Sequence, residues 1–325
     1  VIALAWLIFF KNDRIAGQQG MLQQLLGVGP PDWFSYGLLP IIICLGLHYY
    51  SYSFLLVSGA LRTVDSELEE AGAIAGLSRS AILRKITLPI VLPAISSSFI
   101  LTFTRSMGTF GTPALLGLPV RFFTIPTRIY ASINARNMGD AFVLALVLVL
   151  LASVAIYINS RIIGIRRSFV TMRGKGFRSH PTRLGALRVP LTIIVLVFLL
   201  VAVFLPVVIL GYSTFMLLPG DYSFSNLTLH FWVGESDFRI ASGQEGILRN
   251  DGIGRGVWNS VRLGALAAAI NGTIGLLIGY SVVRSRGRPL SKLLEAVAFA
   301  PYVFPSIAMG AIYLGMFARP LGPIP

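Results

Sequence analysis

The sequence predicts an all-α membrane protein, a polytopic helical bundle with six full transmembrane helices and one partial one. Composition is the first reason: 55% of the 325 residues are hydrophobic and only 12% are charged, where soluble domains carry about 25% charged residues. Patterning is the second. Apolar residues gather in long unbroken runs at 1–10, 34–61, 90–116, 141–158, 191–218, 257–283 and 293–317. A bilayer core admits only helices or closed barrels, and barrel strands would alternate in short segments. Charge placement is the third. The net charge of +14 sits in the gaps between the runs, which argues against a nucleic-acid-binding surface, where basic residues would cluster on one face.

In chain order, residues 1–10 are half a crossing, since a span needs roughly 20 residues. Val1 opens inside an apolar run with no initiator Met and no basic region before it, which disfavours a signal peptide. The expectation is a fragment or truncated chain. The run 34–61 contains Cys44, the sole cysteine, so there is no disulfide framework or cysteine metal site. Pro40, Pro206, Pro301 and Pro305 fall within runs and predict kinks. Pro89 and Pro93 open the run at 90–116, and Pro190 opens the run at 191–218, where proline is tolerated.

Orientation follows from lysine and arginine. Crossing at every run divides the loops into two sets. Sixteen of the 27 Lys and Arg fall in the set holding loops 62–89, 161–189 and 284–292, and nine in the other. Acidic residues favour the second set, so the first is predicted to be cytoplasmic. Segment 161–189 has eight basic residues and no acidic one, as expected of a topogenic loop near anionic headgroups. Its Gly174-Lys175-Gly176 is not a phosphate-binding loop: no Gly stands five residues earlier and no Ser or Thr follows Lys175. We read 166–189 as a basic cytoplasmic linker between two halves. A weak repeat supports that division, with Ala308-Met-Gly-Ala-Ile-Tyr-Leu resembling Ala3-Leu-Ala-Trp-Leu-Ile-Phe.

The polar stretch 64–89 lies between two apolar runs on the predicted cytoplasmic side. Ser66 and Glu69 predict a capping box. Leu68, Ala71 and Ala75 recur at helical spacing, Glu67 and Glu70 share another face, and Gly76 suits a left-handed helix end. Ser78 is placed to cap a second short helix. By residue type alone, this is equally a capped loop helix packed on its own protein or a surface for a soluble partner.

Spacing separates the two. Glu70-Ala71-Gly72, then Gly76, then Ile86-Thr87-Leu88-Pro89 closely resembles the EAA loop of binding-protein-dependent ABC importer permeases. That motif runs Glu-Ala-(Ala or Gly), three residues, Gly, nine residues, Ile-x-Leu-Pro. The resemblance implies the type I ABC importer permease fold. Residues 1–165 would be the C-terminal part of one permease half, with the coupling loop at 64–89, and 190–325 the N-terminal part of the next. Glu67, Glu70, Ala71, Gly72, Gly76, Ile86, Leu88 and Pro89 would form the ATPase-coupling site. Glu70 would face basic groups of the ATPase, and Ala71 and Gly72 would permit close seating. The implied partners are an ABC ATPase dimer, which holds the ATP and Mg²⁺, and a periplasmic or lipid-anchored substrate-binding protein in a bacterial inner membrane. The chain itself would hold no cofactor and no metal. Phe110-Gly-Thr-Pro-Ala-Leu-Leu-Gly117, Thr127-Arg-Ile-Tyr130, Gly174-Lys-Gly176 and Leu184-Gly185 look like the ferric-iron group of these permeases, in which two halves are fused. Permeases for thiamine, polyamines or phosphonates look similar at these positions. A second coupling hairpin is expected outside this sequence.

Arg105 and Asn271 lie within apolar runs. An intramembrane charge is a pathway candidate, with snorkelling as the alternative for Arg105 and an interhelical hydrogen bond as the alternative for Asn271. His48, His180 and His230 are scattered, and no catalytic constellation is visible. The predicted function is a permease subunit, not an enzyme. A secondary transporter or channel is the alternative class, in which the hairpin would be incidental.

Overall fold

A computed structural model describes residues 1–166, 185–240, 243–285, 288–291, 293–294, 297–298 and 306–317. Its helices are α1 (Ile2–Phe10), α2 (Asp13–Ala16), α3 (Met21–Leu26), α4 (Asp32–Ser35), α5 (Leu38–Leu61), α6 (Ser66–Ile74), α7 (Arg79–Ile82) and α8 (Leu88–Met107). They continue as α9 (Gly111–Gly117), α10 (Ile125–Asn134), α11 (Met138–Arg166), α12 (Arg188–Leu199), α13 (Leu205–Ser213), α14 (His230–Val233), α15 (Asp251–Arg284) and α16 (Ser306–Phe317). Among the described residues, five helical segments are long and apolar enough to cross a membrane: Asp32–Leu61, Arg79–Met107, Met138–Ala155, Gly185–Ser213 and Asp251–Arg284. They correspond to five of the six full runs. The last run, 293–317, is described only in part, chiefly as α16. The central part of the basic linker, residues 167–184, and Pro301 and Pro305 lie outside the described residues.

The chain forms two compact units, each drawing segments from both sides of the basic linker. The larger comprises residues 36–203 with 303–325. In it α5 packs on α8, α8 on α11, and α10 and α16 on α11. Its core is Ile129, Ala141, Ala145, Leu148, Ala308 and Ala311, all fully or almost fully buried. Alanines every three or four residues let the helix backbones approach closely, as membrane bundles require. The pieces around Phe110 and Thr127 build this unit. Thr124 and Thr127 cap α10 reciprocally, Pro113 and Thr127 are fully buried, and the rings of Phe110 and Tyr130 meet at 4.9 Å.

The other unit holds residues 3–35 and 204–302. Here polar connections are knitted together. Asn12 is fully buried and donates to Pro30 O and to Asp32 Oδ1. The Tyr222 hydroxyl donates to Ile8 O at 2.9 Å, and the Gln24 side chain accepts from Tyr222 N–H at 2.9 Å. Burial pushes the Tyr222 phenol up to about 12.

Two expectations change. The run 90–116 is not one helix: α8 ends at Met107, with Gly108 as its C-cap, and α9 starts afresh at Gly111. Glycine and threonine at 108–111 weaken the helix there, while hydropathy stays high across the break. Proline kinks also differ. Pro40 sits in the first turn of α5, where its missing N–H costs no hydrogen bond. Pro206 follows a π-helical turn at Leu200–Phe204, which joins α12 to α13. A second π turn, Leu83–Thr87, joins α7 to α8 just before Pro89. Both precede Leu-Pro. A proline ring clashes with the carbonyl four residues back, here Lys85 or Ala202, and widening the turn around that carbonyl relieves the clash.

Candidate functional site

The stretch 64–89 folds as a helical hairpin between α5 and α8. Its first helix begins one residue earlier than the capping-box reading predicts. Asp65 is the N-cap, and its carboxylate accepts from Glu67 N–H at 3.0 Å. Glu69 Oε1 accepts from the Thr87 hydroxyl at 2.6 Å, across the hairpin. The helix ends as predicted. Gly76 has φ +83°, Gly76 N–H donates to Ala73 O, and Leu77 N–H donates to Gly72 O, which together form a Schellman stop. Ser78 then caps α7, its hydroxyl accepting from Ala81 N–H.

The two faces of α6 differ. Gly72 is buried, and a Cβ added there would lie 2.7 Å from Ile86 Cδ1 and 3.3 Å from Ile82 Cγ1. Its open side thus faces the hairpin's own second arm, and Ile86 fills that space. Glu67, Glu70 and Ala71 are exposed. Ile74, one turn on, is 88% exposed. These four stand at i, i+3, i+4 and i+7, so they share one outward face with acids at one end and an apolar knob at the other. Leu88 and Pro89 are exposed at the head of α8.

The structure therefore brings Gly72, Ile86 and Gly76 into the making of the hairpin, and Glu67, Glu70 and Ala71 onto its outer face. Sequence reasoning missed Ile74 and gave Glu69 a different role, at the cap. The i, i+7 spacing from Glu67 points to Ile74. Nothing local points to the pairing of Glu69 with Thr87, eighteen residues on.

Arg105 lies in the last turn of α8, where a cation suits the helix dipole. Its carbonyl accepts from the Thr109 hydroxyl at 2.8 Å and from the Tyr49 hydroxyl at 3.4 Å. Asn271 belongs to the other unit, exposed on α15. Among the described residues, no group of three or more His, Cys, Asp or Glu could hold a metal ion.

The family model described as binding-protein-dependent transport system inner membrane component matches residues 1–165. A Haemophilus influenzae protein named as a ferric transport system permease is 28% identical over 93% of this chain and 46% of its own length. An Actinobacillus pleuropneumoniae ferric transport system permease protein is 27% identical over 93% of this chain and 42% of its own. A Sinorhizobium fredii protein named as an ABC transporter permease is 25% identical over 90% of this chain and 49% of its own. The chain thus spans about half the length of these relatives. No solved structure matches it. With a hairpin of this spacing set between membrane-length helices, and the family match over half its length, the chain belongs to the inner membrane components of binding-protein-dependent transport systems, the permeases of ABC transporters.

Proposed function

We propose that this chain forms part of the translocation pathway of an ATP-driven importer and couples to a separate ATPase through the α6–α7 hairpin. The observation that carries the reading is the outward face of α6. Glu67, Glu70, Ala71 and Ile74 stand exposed on a helix that its own second arm covers at Gly72. An Ile74 left 88% exposed beside two acids fits a face that a partner covers. Span alternation and the excess of Lys and Arg in loops 62–89, 161–189 and 284–292 support a cytoplasmic hairpin in a bacterial inner membrane. Glu70 would meet basic groups of the ATPase, Ile74 would enter an apolar recess beside them, and ATP and Mg²⁺ would be held by that partner. Because an ATPase dimer offers two such seats, a second hairpin of this kind would complete the transporter.

Ferric iron is the proposed substrate. Two relatives aligned over 93% of the chain bear ferric names, and a substrate-binding protein on the outer side would deliver the ion. Arg105 is the proposed pathway residue of the larger unit and Asn271 that of the other. The test is co-purification of the permease with a candidate ABC ATPase, followed by ferric-ion uptake in proteoliposomes. Glu70→Lys reverses the charge on the outward face, which at an interface costs several kcal/mol. It is expected to insert normally, lose the ATPase and abolish uptake. A Glu70→Lys permease that still binds the ATPase and transports iron overturns the reading.

A further inference from the structure

The hairpin has a weak joint of its own. Arg79–Met107 is one continuous helical rod, but the π turn at Leu83–Thr87 interrupts it near its head. Pro89 contributes no backbone N–H to the rod, and a π turn departs from the regular hydrogen-bond ladder. Force applied to α6 and α7 would be absorbed by bending at such a joint unless something bridged it. Two contacts bridge it. The buried Thr87 donates to Glu69 Oε1 at 2.6 Å, so α6 is tied to the last residue of the π turn. One residue back, Ile86 fills the space left open by Gly72. On the other side α6 leaves α5 through a short turn. There Thr63 and Val64 N–H donate to Ala60 and Leu61 O, bonds that belong to the end of α5 itself.

We propose that Glu69 and Thr87 are positioning residues that lock the hairpin to α8, so that a displacement of α6 is delivered to α8 as a single lever. The inference rests on the coupling reading above and adds the route by which movement enters the membrane. The Thr87 hydroxyl donates and a Glu69 side-chain oxygen accepts, at short range.

The experiment uses the transporter purified with its ATPase, in a Cys44→Ala background because Cys44 is the sole cysteine. Nitroxide labels are placed at Leu55 on α5 and Phe99 on α8, which are 67% and 69% exposed. The distance between them is read by electron–electron resonance without nucleotide and after trapping with ATP and vanadate. Thr87→Val keeps shape and removes the donor. Glu69→Gln keeps an acceptor oxygen, and Glu69→Ala removes it. The nucleotide-driven distance change is expected to fall by about half or more in Thr87→Val and Glu69→Ala and to persist in Glu69→Gln, with ATPase association intact in all three. A full change in Thr87→Val overturns the lever, as does a loss in Glu69→Gln as deep as in Glu69→Ala. Loss of the ATPase from Thr87→Val overturns it too, because the pair would then be shaping the docking surface. Failure of the unsubstituted permease to bind the ATPase overturns the coupling reading itself.

Discussion

The two π turns present the same backbone device in different settings. Leu83–Thr87 and Leu200–Phe204 each run into Leu-Pro, so each arises from the same clash of a proline ring with a carbonyl one turn back. The first stands four residues into its rod, after α7, and its Thr87 is buried and clasped by Glu69. The second stands after the twelve-residue α12, deep within a span. Local sequence is enough to make a π turn. What sets the first apart is the amphipathic hairpin folded back onto it, clasped at Thr87. The same chemistry placed mid-span lets a proline pass through a helix at little cost.

Removing the prolines breaks the comparison most severely. Without Pro89 the π turn is free to tighten to a regular helix, and absorbing one residue turns the hairpin by about 100° relative to α8. Pro89→Ala is therefore expected to lower uptake more than about tenfold, while Pro206→Ala, with no hairpin to misdirect, stays within about twofold, since each tenfold step in rate is about 1.4 kcal/mol. Uptake rates at equal membrane insertion check both. Equal losses in the two variants would mean that the π turns are not distinguished by the hairpin.

A smaller effect is expected at Gly76, whose φ of +83° closes α6. A β-branched residue there carries roughly 1–2 kcal/mol of left-handed strain. Gly76→Val should lower the thermal midpoint of the purified permease, and Gly76→Asn should restore most of it, because asparagine tolerates that region. The Cβ itself meets nothing within 4 Å, so conformation and not crowding is being tested.

The smallest effect lies in the other unit and serves as a control. Tyr222→Phe removes the hydrogen bond to Ile8 O, worth about 1 kcal/mol, and should leave ATPase association unchanged. The Tyr222 phenol is raised to about 12 by burial. Its contribution is therefore complete below its unfolded value near 10 and is lost as pH rises from there through about 12. The parent should lose stability relative to Tyr222→Phe across that window. A parent advantage that grows with pH would contradict the assignment.

Much of this was legible in the residues. The spans follow from run length, and the stop at Gly76 and the cap at Ser78 follow from local chemistry that tertiary contacts do not override. The N-terminus of α6 did not follow. Asp65 and Ser66 are both good caps, and residue type does not choose between them. Thr87 draws Glu69 across the hairpin, a contact that no window of local spacing contains. The break between α8 and α9 is invisible to hydropathy because glycine and threonine interrupt a helix without making it polar. Gly72 reads as a permissive surface residue, yet it faces inward because Ile86 needs the space its missing Cβ leaves.

The central claim is that the outward face of α6 seats in an ATPase, and Ile74, at 88% exposure, is its most projecting apolar residue. A photo-reactive benzoyl-phenylalanine at Ile74, with the same group at Val208 beside the second π turn as the reference, tests this directly in membranes containing the whole transporter. The account predicts a cross-link from Ile74 to the ATPase subunit and none from Val208. An Ile74 probe that captures only lipid or the permease itself, in a transporter that still hydrolyses ATP and takes up substrate, would contradict it.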